Sequence, residues 1–148
     1  MNTSISRHPS DALPAGGPPL VILPAKDALA PDELYRRGIS SPLRCPANDR
    51  VVALIRTPVL SSPDMVAANA GEWRDRLLTV ELEIRSFTGA LLANDPWVAL
   101  VKVEMGSLAP GTYEILARTT RLEFSHRNHP ETAGRPSVTE QRWRFECS

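Results

Sequence analysis

The feature of this sequence that most constrains its fold is a strict alternation of apolar and polar residues that begins near Leu77. Its apolar members are Leu78, Val80, Leu82 and Ile84, and its polar members are Thr79, Glu81, Glu83 and Arg85. A period of two residues places successive side chains on opposite faces of a β-strand. The alternation therefore predicts a strand with one buried face and one solvated face, rather than a helix.

The same alternation returns in three later segments, which begin near Trp97, Tyr113 and Gln141. Two earlier apolar runs, residues 20–23 and 51–55, are predicted to be short strands. The connections between the long strands are rich in Gly, Asn, Asp and Pro, and they are too short for the crossover helix that parallel neighbours usually need. The pattern predicts a mainly β fold, an antiparallel immunoglobulin-like β-sandwich, with an α+β arrangement or a small barrel as alternatives.

Two short helices are predicted before the long strands. Residues 30–38 have Pro31 at the first helical position, acidic residues in the first turn, arginines in the last turn and Gly38 at the end. Residues 62–71 show the same order, with Ser62 as a cap and Gly71 as the stop.

Proline marks a boundary in the chain, because ten of its 14 prolines lie at or before Pro63. Residues 1–19 contain Pro and Gly but few large apolar side chains, and they are predicted to form a disordered tail. A single domain is predicted over residues 20–148, with its most regular part at 50–148. Whether residues 20–57 belong to the sandwich is left open by the sequence.

The segment from Val101 to Ile115 contains Leu108-Ala109-Pro110-Gly111-Thr112-Tyr113 between two alternating strands. It resembles a segment of bacterial immunoglobulin-like and fibronectin-type-III-like β-sandwich domains, and the resemblance covers roughly residues 77–124. It implies that Leu108 closes one end of the core and that Pro110-Gly111 makes the turn. It also implies a structural role for Tyr113, whose ring would lie inside while its hydroxyl bonds nearby backbone.

Charge and hydropathy narrow the classes of partner. The formal net charge is +0, so the whole molecule has no field that attracts nucleic acid, and no nucleic-acid partner is predicted. No apolar run approaches the ~20 residues of a membrane span, so we expect no membrane insertion. No export signal is visible, which favours a cytoplasmic location over export followed by removal of a signal, and the location is left open. The two cysteines, Cys45 and Cys147, either form one long-range disulfide or remain free thiols.

No sequence motif of catalysis or of cofactor binding is present. The chain has no phosphate-binding loop, no dinucleotide-binding loop and no nucleophile elbow, so we predict no cofactor and no enzymatic activity. His126 and His129 are close in sequence, but a metal site generally needs at least three protein ligands, and no metal site is predicted. A small hydrolase or lyase with its site around these histidines is the alternative.

The sequence favours a non-catalytic binding or structural module that contacts another protein, through end loops or through a sheet edge. Residues 126–136 and 87–96 are the candidate loops. The candidate binding residues are His126, Arg127, His129, Arg142, Arg144 and Trp73. Acids such as Glu114 are expected to pair with the arginines across strands. A carbohydrate-binding module with an exposed Trp73 is a second alternative, and the oligomeric state is left open.

Overall fold

The computed structural model describes residues 1–26, 29–39, 43–87, 95–126, 129–132 and 136–148, and it describes the side chains of all of these except residues 125, 126 and 129–132. The regular elements of this part of the chain follow in order. They are β1 (Thr3–Pro9), β2 (Leu20–Pro24), α1 (Pro31–Ile39), β3 (Arg44–Cys45), β4 (Arg50–Arg56), β5 (Met65–Ala70), β6 (Leu77–Phe87), β7 (Trp97–Ser107), β8 (Gly111–His126), β9 (His129–Thr132) and β10 (Ser137–Cys147).

The strands form two sheets, which confirms the prediction of a mainly β, two-sheet fold. The four-stranded sheet has the order β1-β7-β4-β2. The six-stranded sheet has the order β3-β10-β8-β6-β5, with β9 paired to β8. A disulfide between Cys45 and Cys147 joins β3 to β10, with a Cα–Cα distance of 4.8 Å, and this decides the question that the sequence left open.

The expectation of antiparallel pairing throughout is wrong for two pairs of strands. β6 and β8 run parallel, in register from Leu77 opposite Glu114 to Phe87 opposite Phe124, and β3 runs parallel to β10. The reason for the first pair is that β7, which connects β6 to β8, lies in the opposite sheet. β7 therefore returns the chain to the start of the sheet, which is the task that a crossover helix performs in a βαβ unit.

The core has two layers. The inward side chains of both sheets meet in one cluster, which includes the buried rings of Tyr113 and Phe145. A second cluster lies on the outer face of the four-stranded sheet, where α1 packs with Leu34 and Tyr35. β2, β4 and β7 are therefore buried on both faces, which explains their nearly continuous apolar runs. The helix predicted at residues 30–38 and the strands predicted at 20–23 and 51–55 are confirmed.

The helix predicted over residues 62–71 is wrong, because Met65–Ala70 is the edge strand β5. The signals attributed to a helix start belong to a turn. Asp64 accepts hydrogen bonds from the backbone N–H groups of Ser61 at 3.0 Å and Phe87 at 3.3 Å. A Ser-Pro-Asp sequence stabilises a tight turn through the same short polar side chains that cap a helix, so the local pattern is ambiguous.

The prediction of a disordered tail over residues 1–19 also differs from the structure. Thr3–Pro9 forms β1 and pairs with β7 along its whole length, and Leu13 is buried. Composition missed this strand because backbone N–H and C=O groups pair without regard to side-chain hydropathy, and the outer edge of β7 offers them partners. In the described part of the chain, no helix is long and apolar enough to span a membrane.

Candidate functional site

The edge of the six-stranded sheet at β10 is the candidate site. On one side β10 pairs with β8 from Ser137 to Cys147. On the other side, the pairing seen among the described residues is with β3, and it is limited to Glu146 and Cys147. From Ser137 to Arg144, therefore, no described strand pairs with the outer side of β10. We call this stretch, residues 137–144, the open edge.

Hydrogen bonds at the end of β10 show which backbone groups the open edge presents. The N–H of Glu146 donates to Leu43 O at 3.3 Å, and the N–H of Ser148 donates to Cys45 O at 3.2 Å. Even-numbered residues of this strand thus direct their backbone groups away from β8. Since the direction alternates along a strand, the N–H and C=O groups of Val138, Glu140, Arg142 and Arg144 also point outward.

The open edge is solvated on both faces of the sheet. Residues 137–142 are all exposed, and Val138 is 55% exposed. The inward positions along this part of β10 carry the polar residues Ser137, Thr139 and Gln141. Nearer the C-terminal end of the strand, Phe145 and Cys147 are part of the core. The change from polar to apolar inward residues explains why only the C-terminal end of β10 is buried against the core.

Ion pairs fix the charged side chains on the outer face beside the open edge. Glu114 accepts one hydrogen bond from Arg142 and one from Arg144, each at 3.1 Å. Two residues before Arg142 on the same face of β10, Glu140 accepts a hydrogen bond from Arg118 at 3.1 Å. Arg118 also lies 3.7 Å from Glu81. The expected cross-strand pairing of arginines with acids is confirmed. Arg142 and Arg144 remain 58% and 74% exposed, so their charges are accessible to a partner.

A cleft of about 250 Å³ lies between the two sheets, directly below the open edge. Thr139 and Gln141 form its β10 wall, and Thr57 and Pro58 are among the residues of the opposite wall. Its floor is apolar and consists of Ile55, Leu82, Ile84 and Ala117. No sequence pattern predicted this cleft, because its residues come from four separate strands and their extensions.

The other described edges are less accessible or shorter. The edge strand β5 is met by β1, since Thr3 Oγ1 donates to Ala68 O at 3.5 Å. β2 has five residues and ends at Pro24, which lacks a backbone donor. β1 forms the outer edge of the four-stranded sheet beside β5. The open edge of β10 is the long, uncovered one among these.

The histidine cluster predicted from sequence is placed only in part. The backbones of His126 and His129 face each other in the β8–β9 pairing, but their side chains and Arg127 lie outside what the structure describes. The predicted loop at 87–96 lies mostly outside it as well. Among the described residues, no group of three His, Cys, Asp or Glu side chains is placed to hold a metal ion.

Trp73, the candidate for sugar stacking, packs against the core. Its half-buried ring lies edge-on to Tyr113, with centroids 5.3 Å apart, and 6.5 Å from Phe145. Its indole Nε1 is buried and has no hydrogen-bond partner among the described residues. In contrast, Trp97 Nε1 donates to Ser61 O at 2.7 Å. The contacts of Trp73 are those of a packing residue.

An arginine-lined depression of about 530 Å³ lies at the foot of the six-stranded sheet. Arg74, Arg76 and Arg144 line it together with Asp75 and Glu114. No sequence pattern pointed to Arg74 and Arg76, because the two-residue turn between Arg74 and Leu77 consists of Asp75 and Arg76 and carries no glycine to mark it.

Comparison with known proteins finds no matching family model, no matching curated protein and no matching solved structure. The proposals below are therefore argued from the geometry of the chain.

Proposed function

We propose that this protein is a non-catalytic binding module that holds an extended segment of a partner polypeptide as an added strand along β10. The observation that carries the proposal is the row of outward-directed backbone groups on the open edge. Backbone groups of this kind hydrogen-bond any extended chain, and strand addition to a sheet edge is a recurrent mode of peptide recognition.

The side chains beside the open edge supply the selectivity in this proposal. Val138 offers an exposed apolar contact on the outer face, and Arg142 and Arg144 offer positive charge on the same face. On the inner face, Thr139 and Gln141 border the cleft between the sheets. Alternate side chains of an added strand would point to these two faces in turn.

The immunoglobulin-like or fibronectin-type-III-like relationship of the segment at residues 101–115 is part of the same proposal. Tyr113 has a buried ring, and its hydroxyl donates to Ala109 O at 2.7 Å, which supports the resemblance to a tyrosine corner. The two parallel strand pairs are a departure from the antiparallel arrangement that the resemblance implies.

A selection experiment with two variants of one residue tests the proposal. Arg142→Pro removes an outward N–H without removing a hydrogen bond to β8, whereas Arg142→Ala removes only the side chain. Random peptides displayed on phage are selected on the wild-type protein. We expect the selected peptides to bind Arg142→Pro at least about tenfold more weakly than Arg142→Ala, the equivalent of about 1.4 kcal/mol.

Equal binding of the peptides to both variants would show that the backbone of the open edge is not used. Failure to select any peptide from a wild-type protein that is monomeric would also contradict the proposal. Thermal unfolding of both variants, followed by circular dichroism, verifies that the comparison is made between folded proteins.

A further inference from the structure

We infer that the strand received by the open edge is β10 of a second copy of this chain, antiparallel and centred on Gln141. This inference rests on the proposed function, because it names the partner of the same edge. The resulting dimer would join the two six-stranded sheets into one continuous sheet across a two-fold axis.

The first argument is the position of the open edge along β10. Its outward backbone groups run from Val138 to Arg144, and β3 occupies the strand from Glu146 onward. Gln141 is the midpoint of that stretch. A two-fold axis at Gln141 pairs Val138 with Arg144 of the second copy and uses every outward group in both chains. The pairing forms about eight hydrogen bonds, two for each facing pair of outward residues.

The second argument is the charge of the facing residues. Centring on Gln141 places Glu140 opposite Arg142 of the second copy, and the symmetry repeats this pair. A shift that centres the axis on Glu140 would set two glutamates opposite each other, and centring it on Arg142 would set two arginines opposite each other. Opposite charges stabilise a cross-strand pair and like charges destabilise it, so the sequence of the edge selects one register.

The existing ion pairs are compatible with this arrangement. Glu140 is bonded to Arg118, and Arg142 is bonded to Glu114, both within one chain. A carboxylate has about four acceptor positions and a guanidinium has five donors, so each group retains capacity for the residue of the second copy. The dimer would carry a line of alternating charge across the seam, from Glu114 and Arg142 in one copy to Glu140 and Arg118 in the other.

The other side chains that would face each other between the two copies of β10 also make compatible contacts. Val138, 55% exposed in the single chain, lies opposite Arg144 of the second copy and is covered by its aliphatic stem. On the inner face, Thr139 lies opposite the half-buried Trp143. The two Gln141 residues face each other at the axis, where their side-chain amides can donate to and accept from one another.

Charge reversal with mixing tests the inference in solution. In the register centred on Gln141, Glu140→Arg sets arginine opposite arginine, and Arg142→Glu sets glutamate opposite glutamate. An equimolar mixture of the two variants restores an opposite charge at both positions. We expect the wild-type chain to dimerise in sedimentation velocity, each variant alone to dimerise at least about tenfold more weakly, and the mixture to form a heterodimer.

Cysteine cross-linking tests the register itself. At the two-fold axis, the Cα atoms of facing Gln141 residues would be about 4.5 Å apart, which suits a disulfide. Oxidised glutathione should therefore link Gln141→Cys into a covalent dimer through residue 141. Thr139→Cys is the matched control. Its counterpart in the second copy lies four residues away along the strand, and it should not link to itself.

The outcomes separate this inference from the proposed function. A wild-type chain that stays monomeric at every concentration, or a mixture that fails to restore the dimer, would overturn the inference. If peptides selected on the wild type still require the N–H of residue 142, the proposed function stands without it. A dimer that is unaffected by Arg142→Pro and by both charge reversals would lie elsewhere on the molecule, and would also overturn the inference.

Discussion

The guanidinium group of Arg76 lies 5.3 Å from the ring centroid of Tyr113 and fills the space beside Gly111. A Cβ atom at position 111 would be 2.8 Å from Arg76 Cζ, which is closer than real Cβ contacts. Gly111 also has a φ of +148°, a conformation that favours glycine. The residue has two reasons to be glycine, one from the backbone and one from its neighbour.

We predict that Gly111→Ala destabilises the protein by about 1–3 kcal/mol and displaces Arg76 from the Tyr113 ring. Gly106→Ala is the control, because Gly106 has a φ of +75° but no atom within 4 Å of an added Cβ. Chemical denaturation of both variants, each with and without Arg76→Ala, measures the coupling. Additive effects of Gly111→Ala and Arg76→Ala would contradict the proposed contact, since touching residues couple and distant ones do not.

Gly38 lets α1 approach β2 closely. A Cβ atom at this position would lie 2.7 Å from Val21 Cβ and 2.9 Å from Val21 Cγ2. Alanine improves helix propensity by up to about 1 kcal/mol, but overpacking against a stiff, β-branched side chain costs about 1–3 kcal/mol. We therefore expect Gly38→Ala to lower the free energy of unfolding by up to about 2 kcal/mol.

The control for this prediction is the same substitution in a Val21→Gly background, where both close atoms, Val21 Cβ and Val21 Cγ2, are absent. There Gly38→Ala should be neutral or stabilising. Denaturation midpoints of the four proteins give the answer. If Gly38→Ala is equally destabilising in both backgrounds, the close approach to Val21 is not its cause.

The disulfide between Cys45 and Cys147 closes a loop between residues 102 positions apart in the sequence. In the chain-entropy model a loop of this size contributes about 4–5 kcal/mol, and measured losses are typically about 2–5 kcal/mol. We predict that Cys45→Ser/Cys147→Ser is destabilised by an amount in that range. Thermal unfolding of the wild type with reductant should match the double variant, whose own unfolding should not respond to reductant.

Trp73 and Trp97 differ in how their indole N–H groups are satisfied. Trp97 Nε1 bonds Ser61 O, whereas Trp73 Nε1 is buried without a partner among the described residues. Phenylalanine removes the same atoms at both sites, but only at position 97 does it remove a hydrogen bond and leave an acceptor unpaired. We expect Trp97→Phe to cost at least about 1 kcal/mol more than Trp73→Phe in urea denaturation. Equal costs would contradict this.

His8 makes stability depend on pH. Partial burial lowers its pKa below the usual 6.5, the charge of Asp32 opposes this, and the charge of Arg36 adds to it. The imidazole of His8 therefore binds a proton more tightly in the unfolded chain than in the folded protein. The stability that the protein gains by keeping His8 neutral is complete above pH 6.5 and is lost as the pH falls through 6.5 toward the folded-state pKa.

Melting temperatures of the wild type and of His8→Gln, compared at each pH, isolate this effect from the carboxylates that both proteins share. The difference between the two proteins should shift against the wild type as the pH falls below 6.5. A difference that does not change with pH would show that His8 keeps its ordinary pKa in the folded protein.

The local pattern of apolar and polar residues was sufficient to predict an element where only one face of that element is buried. The alternation that starts at Leu78 predicted β6 and its buried face, because a strand with one solvated face must repeat every two residues. The proline, acidic and basic residues of residues 30–38 predicted α1 in the same direct way. Glu114 was expected to pair with strand arginines, and it bonds Arg142 and Arg144.

Local pattern failed where two structures share one signal. Ser62, Pro63 and Asp64 suit a helix start and a tight turn equally well, and the contact of Asp64 with Phe87, 23 residues away, settled it as a turn. β1 has almost no apolar residues that would predict a strand, and its place is decided by its pairing with the backbone edge of β7. The sequence predicted strand addition at a sheet edge without indicating which edge, because the open edge of β10 is set by where the pairing with β3 begins, at Arg44 opposite Glu146.

The sequence by itself determined the long strands, the helix at residues 30–38 and the inner and outer residues of the strands that have one solvated face, because these follow from the local period of hydropathy. The tertiary structure alone decided which strands are neighbours, that β6 and β8 run parallel, that Cys45 meets Cys147, and that one side of β10 is left without a described partner. Those properties depend on contacts between residues far apart in the chain, and such contacts leave no periodic trace in the sequence.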